Sequence, residues 1–247
     1  MVNSRDIEFN AMELRKKFKI ENELYVSIEE ILESMDDITI VNIKMSDRIS
    51  GLCIRTGNNK IIAVNSSLSL GRQRFTIAHE LCHLYYHDEG CYVCSKDFSD
   101  DKSLKNIEYE ADMFASYFLA PYYLLTEKFR ELKNDKNDLM TICVKLEQCF
   151  GMSHLSLIRR LHDDKLITIG EYNNLAVRKP ISFSQKAGLS TKLYEPTNIN
   201  KTVGKYVRLS NELLENGLIS NSKYEELLLD AFREDLVYES ELVDVID

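Results

Sequence analysis

The sequence predicts an α+β fold: a small antiparallel sheet packed on helices, then a helix-turn-helix-like segment, then C-terminal helices. Three observations predict it. Apolar residues recur at helical spacing on both sides of a stretch, 38–64, that is rich in β-branched residues and broken by turn residues. Two helical stripes separated by a glycine follow at 139–161. Three prolines and nine glycines in 247 residues leave few places for long loops.

Ile7, Ala11, Leu14 and Phe18 form one stripe, so residues 4–18 read as a helix. Ser27 and Glu30 make a capping-box pattern ahead of Ile28, Ile31, Leu32 and Met35. The period then changes: Ile38 to Ile43 reads as a strand. Two apolar runs, Ile49 to Ile54 and Lys60 to Val64, flank Thr56-Gly57-Asn58-Asn59 and read as a hairpin. Residues 72–87 are helical, 88–105 read as a polar loop, and 106–119 form an apolar helix ended by Pro121. Leu139, Ile142, Leu146 and Cys149 make a stripe closed by Gly151, and Ser153 can cap the next helix, with Leu155, Ile158 and Leu161. Residues 176–202 hold Pro180, Pro196 and many polar residues, and read as a linker or arm. Helices return at 204–216, before Gly217, and again from Ser222, boxed with Glu225. Residues 234–247 carry six acidic residues and no basic one, the composition of a solvated tail.

Composition narrows the function. Lys and Arg total 31 against 40 Asp and Glu, a net charge of −9, which argues against a general nucleic-acid binder. Within 141–167, Lys145, Arg159, Arg160 and Lys165 exceed Glu147, Asp163 and Asp164 by one charge, which is feeble for phosphate contact. Direct nucleic-acid binding is therefore not expected, and that segment reads better as a module packed on the core or gripping a protein. No apolar run reaches the roughly 20 residues of a membrane span. Six cysteines without an apolar export signal read as reduced thiols in a cytoplasm.

The chemistry is carried by His79-Glu80-Leu81-Cys82-His83. On a helix, residues four apart share a face, so both imidazoles can point at one ion. Zinc suits nitrogen and oxygen donors in tetrahedral geometry and, in hydrolytic sites, has three protein ligands and one open position. Glu80 lies about 100° around the helix from His79 and can reach a water there without ligating the ion. The third ligand must come from elsewhere, and Glu108 and Glu110, ahead of an apolar helix with small Ala111 and Ala115, are the best source. The competing reading of each glutamate is a solvated first turn favouring the helix dipole. Tyr109 and Tyr117 are the nearby candidates for stabilising an oxyanion.

Three further residue groups carry weaker signals. Cys82, about 60° from His79 on the helix wheel, reads as a packed small residue that could crowd the ion. His87 continues the i+4 series but lacks the spacing and glycine of a metzincin third ligand. Cys91-Tyr92-Val93-Cys94 has spacing that suits zinc or thiol redox chemistry, and with His83 and His87 could build a closed structural site, but that would leave His79 and Glu80 without a purpose. A cytidine-deaminase reading fails for lack of His-x-Glu and Pro-Cys-x-x-Cys.

The stretch Arg72 to His83, with Glu110-Ala111, Phe114-Ala115 and Leu119-Ala120-Pro121, resembles the ImmA/IrrE family of metallopeptidases. Members show a Phe-Thr-(apolar)-Ala-His-Glu-Leu-Gly-His core, with glycine where this chain has Cys82. The resemblance covers residues 25–125 well, extends to 139–167 and is diffuse beyond. It implies a zincin-like core with Zn2+ as cofactor, His79, His83 and Glu110 as ligands, Glu80 as general base and Glu108 in reserve. It also implies a protein substrate, a helix-turn-helix repressor of prophage, mobile-element or stress genes. The expected division is 1–135 zinc metallopeptidase core, 136–175 helix-turn-helix-like segment, 176–202 linker and 203–247 C-terminal helices. The hairpin at 49–64 is expected to offer an edge strand to substrate. A second reading keeps the fold but acts by binding alone, on a transcription factor or as half of a toxin–antitoxin pair.

Overall fold

A computed structural model describes residues 4–88, 90–95, 102–135 and 137–243. The N-terminal part runs α1 (Ser4–Lys17), α2 (Ile28–Glu33), β1 (Ile38–Ile43), β2 (Ile49–Thr56), β3 (Asn59–Asn65), α3 (Leu70–Tyr86), β4 (Gly90–Ser95), α4 (Lys102–Leu119) and α5 (Tyr122–Asn134). Four helices follow, α6 (Leu139–Phe150), α7 (His154–Asp163), α8 (Ile169–Ala176) and α9 (Pro180–Lys186), then β5 (Lys201–Gly204), α10 (Lys205–Glu215), α11 (Asn221–Asp230) and α12 (Glu234–Val243). The fold is α+β, as expected. Among the described residues no helix is long and apolar enough to cross a membrane.

The sheet order is β4-β2-β3-β1-β5. β1 pairs with β3 in parallel, and the other pairs are antiparallel, so the sheet is mixed rather than purely antiparallel. The expected hairpin is β2–β3, but neither strand is an edge. β4 covers β2, and β1 covers β3. The hairpin therefore cannot offer its own edge to substrate, and the described sheet ends at β4 and β5.

Several local signals differ from expectation. Part of the 88–105 loop is β4, and residues 89 and 96–101 lie outside the described residues. Ser27 makes no side-chain cap, and Ser220 rather than Ser222 caps α11, accepting from Lys223. Pro180 opens α9, where its missing N–H costs nothing, and the stretch read as a linker ends in β5. The acidic end is α12 as far as Val243, with Val237 buried against Val207 and Leu228; residues 244–247 lie outside the described residues. Gly151 and Ser153 act as read: Gly151 ends α6 at φ 63°, and Ser153 caps α7.

One apolar core joins the sheet to α1, α3, α4, α6 and α7. Buried arginines brace it. Arg74 of α3 bonds Gly151 O at 3.2 Å and Glu29 at 3.0 Å, and also Val26 O, so it ties α3 to the approach to α2 and to the α6–α7 turn. Arg15 of α1 donates to Phe118 O at 2.6 Å, at the end of α4. Burying a cation is costly unless it is hydrogen-bonded, and these carbonyls and the Glu29 carboxylate supply most of that compensation.

A second buried network holds the helical segment together. Glu147 of α6 accepts from His154 Nδ1 at 2.6 Å and from Tyr194 OH at 2.7 Å, and His154 Nε2 donates to Leu175 O at 3.0 Å. Burial lowers the His154 pKa, but the bond to Glu147, the charge of Glu147 and the bond to Leu175 O together outweigh it and the net shift is upward. A histidine whose folded value is raised stabilises fully below its ordinary pKa of about 6.5, and that stability is lost as pH rises through the folded value. The melting temperature difference between the parent and His154→Gln should therefore be largest in mild acid and shrink toward alkaline pH. A difference that grows with pH would refute the charged pair.

Candidate metal centre

α3 lies against β2, β3 and α4, which buries its motif face: His79, Glu80 and His83 are 5%, 0% and 1% exposed. The close approach of β2 depends on Gly51, where a Cβ would fall 2.5 Å from Thr76 Cγ2 and 3.2 Å from Glu80 Oε1. The expected pairing of the imidazoles holds: the Nε2 atoms of His79 and His83 face one another at 3.1 Å.

The third group is Glu108, not Glu110. Glu108 Oε2 lies 3.2 Å from His79 Nε2, and Oε1 lies 3.6 Å from His83 Nε2. Glu110 is two residues along α4, about 200° around its axis, and its carboxylate pairs instead with His87 Nε2 at 3.9 Å. Cys94 joins from β4: one ligand atom each from His79, His83, Cys94 and Glu108 lie within 4.8 Å of one another.

The other nitrogens of the two histidines are engaged outward. His79 Nδ1 donates to Asp112 Oδ1 at 3.0 Å, and His83 Nδ1 shares a proton with His87 Nδ1 at 2.7 Å. Asp112 is four residues after Glu108, so one face of α4 supplies both contacts. His83 also stacks on Tyr92 with ring centroids 4.5 Å apart. With His79 Nδ1 donating to Asp112 and His83 Nδ1 donating to His87, both Nε2 atoms would be free to meet a metal ion, the arrangement found behind metal-bound histidines.

The electrostatics favour a cation. Burial lowers the His79 pKa, yet hydrogen bonds to Asp112 and Glu108 and the charge of Glu80 overcome it and pull the pKa up to about 10. Burial and the charges of His79 and His87 push His83 down to about 2. Without a metal these shifts favour the charged form of His79 and the neutral form of His83. A dication would take over the proton's role with more donors satisfied. Glu80 is different: among the described residues its carboxylate meets no nitrogen or oxygen donor, only the thiols of Cys94 and Cys53, and burial pushes its pKa up, offset in part by His79 and those thiols. It sits beside the donor cluster, outside it.

His79, Cys94, Glu108 and Asp112 line a cleft of about 890 Å³. Its far side is the start of α7, Ser153 to Ser156 with Arg159 and Asp163, so this helix faces the cleft and the core. Tyr109 lines the cleft, whereas Tyr117 does not and packs its ring under Arg160 at 4.0 Å. Cys82 is buried in the core away from the donors, and its thiol pKa is raised by burial, as a packed side chain requires. The two cysteines of Cys91-Tyr92-Val93-Cys94 part: three residues apart on a strand point to opposite faces, leaving Cys91 exposed and Cys94 inside.

The outward bond of His79 gives a test. Asp112→Ala should lower zinc affinity about 10–100-fold, measured by competition with a chromogenic chelator. An unchanged affinity would show that Asp112 does not orient His79.

A comparison with curated proteins found no match to the chain. The family model of peptidase M78, described as the IrrE N-terminal-like domain, matches residues 37–162, just over half of the chain, from the start of β1 to the end of α7. The chain therefore belongs to the ImmA/IrrE family of metallopeptidases.

Proposed function

We propose that the protein is a zinc-dependent endopeptidase with His79, His83 and Glu108 as metal ligands and Glu80 as general base. The observation that carries this is the convergence of those three donors beside a buried carboxylate that meets no nitrogen or oxygen donor among the described residues. Two imidazole nitrogens and one carboxylate are a donor set of hydrolytic zinc. A zinc ion bound there would supply a Lewis acid for a peptide carbonyl and would acidify water.

The chain's own groups do the rest. Glu80 takes a proton from the attacking water at one carboxylate oxygen and delivers it to the departing amine, so no covalent intermediate on the protein is needed. Its raised pKa brings the base closer to neutrality than an ordinary carboxylate. Asp112 and His87 hold the two imidazoles in register. The cleft between the metal site and α7 would receive an extended stretch of substrate, and Tyr109 is the candidate to meet the developing oxyanion.

The substrate we propose is a helix-turn-helix repressor, cleaved in the cytoplasm to release prophage, mobile-element or stress genes. Six free thiols suit a reducing compartment. The test is co-expression with the repressor encoded in a neighbouring reading frame, followed by mass spectrometry of the fragments. The expected result is a single cut that a zinc chelator abolishes. An intact repressor bound to the protein would instead favour the binding-only reading.

A further inference from the structure

The hydrolytic reading uses three of the four converging donors, and the inference here rests on that reading. A hydrolytic zinc keeps one position for water and substrate. Cys94 stands in the way of that requirement. Its Sγ lies 3.8 Å from Glu108 Oε2 and within 4.8 Å of the donor atoms of both histidines. It lines the same cleft that a substrate would use.

We propose that Cys94 is a blocking ligand: in this conformation its thiolate closes the metal centre, and hydrolysis requires it to withdraw with the end of β4. Two nitrogens, one oxygen and one sulfur make a complete tetrahedral set for zinc, which takes thiolate readily. Binding releases the thiol proton to solvent, and withdrawal restores it from solvent, so the exchange needs no oxidant.

The strand is built to let go at this residue. β4 ends the sheet and is hydrogen-bonded to β2. Its register is regular from Gly90 to Cys94, then shifts between Ile49 and Gly51, the latter being the partner of Cys94. Release of Cys94 therefore disturbs the irregular end of the ladder and leaves the regular pairs in place. Gly51 offers no side chain to hold Cys94 from across the strand pair. Cys91 is exposed on the opposite face and does not compete for the ion.

The test uses the full chain with cobalt as probe metal and acetohydroxamate as probe ligand. The parent should bind one cobalt with a near-ultraviolet thiolate-to-cobalt charge-transfer band. Cys94→Ala should keep the cobalt, lose that band, and take up acetohydroxamate roughly tenfold or more tightly than the parent, about 1.4 kcal/mol. X-ray absorption of the zinc-loaded parent gives a check that needs no variant: a sulfur at about 2.3 Å beside nitrogen or oxygen at about 2.0–2.2 Å. A parent with bound metal, no sulfur in its shell and ready acetohydroxamate binding overturns the blocking role and leaves the peptidase reading intact. Loss of cobalt from a folded Cys94→Ala overturns it differently, by showing a structural four-ligand centre. A parent that binds no metal at all ends both readings.

Discussion

Replacing Glu80 with glutamine is expected to leave the zinc in place and to slow cleavage about 10²–10⁴-fold, the usual contribution of a positioned acid–base group. The amide fits the same buried space but cannot take a proton from water. A second effect should appear in the metal-free protein, where the variant melts at a higher temperature. Glu80 is a fully buried carboxylate that, among the described residues, meets thiols but no nitrogen or oxygen donor, and its pKa is raised, first of all by burial. An acid whose folded pKa is raised destabilises the fold above that value and does not below its ordinary pKa, so the gain should grow with pH. Unaltered cleavage would remove Glu80 from the chemistry. Equal melting temperatures at all pH values would mean that the carboxylate is compensated after all.

The second large effect concerns α4. Glu108→Ala should strip zinc on dialysis, while Glu110→Ala should retain it. The loss should exceed the roughly 10–100-fold that follows removal of an outer partner, because a direct ligand goes. The geometry makes the contrast: Glu108 is within 3.2–3.6 Å of both Nε2 atoms, and Glu110 reaches only His87. Metal content by mass spectrometry settles the pair. Zinc lost from Glu110→Ala and kept in Glu108→Ala would reverse the assignment.

Why the convergence of the two imidazoles was legible and the carboxylate beside them was not is a matter of range. His79, Glu80 and His83 lie within one turn, so helical period alone aligns them. Glu108 and Glu110 can be told apart only by the rotation of α4 about its axis. Ala111, Phe114, Ala115 and Phe118 recur at helical spacing on one buried face, and at about 100° per residue Glu108 and Glu110 fall at its two edges, so the apolar pattern does not choose between them. The resemblance pointed to Glu110; the one local clue for the other choice was Asp112, four residues from Glu108 and able to back a histidine. Cys94 was weighed only together with Cys91 because β4 was read as loop, yet Cys91-Tyr92-Val93-Cys94 has strand alternation, with Cys94 inside. β5 was beyond reading: four residues with a lysine and a glycine carry no period, and their partner is some 160 positions away.

That last pairing constrains the birth of the molecule. Val41 of β1 meets Thr202 of β5. At about 5–20 residues per second, the ribosome needs about 8–30 s after making β1 before its partner emerges. Until then the growing chain carries its zinc motif on an incomplete scaffold, and newly made protein must be sheltered, by the ribosome or a chaperone, until the last fifth of the polypeptide arrives.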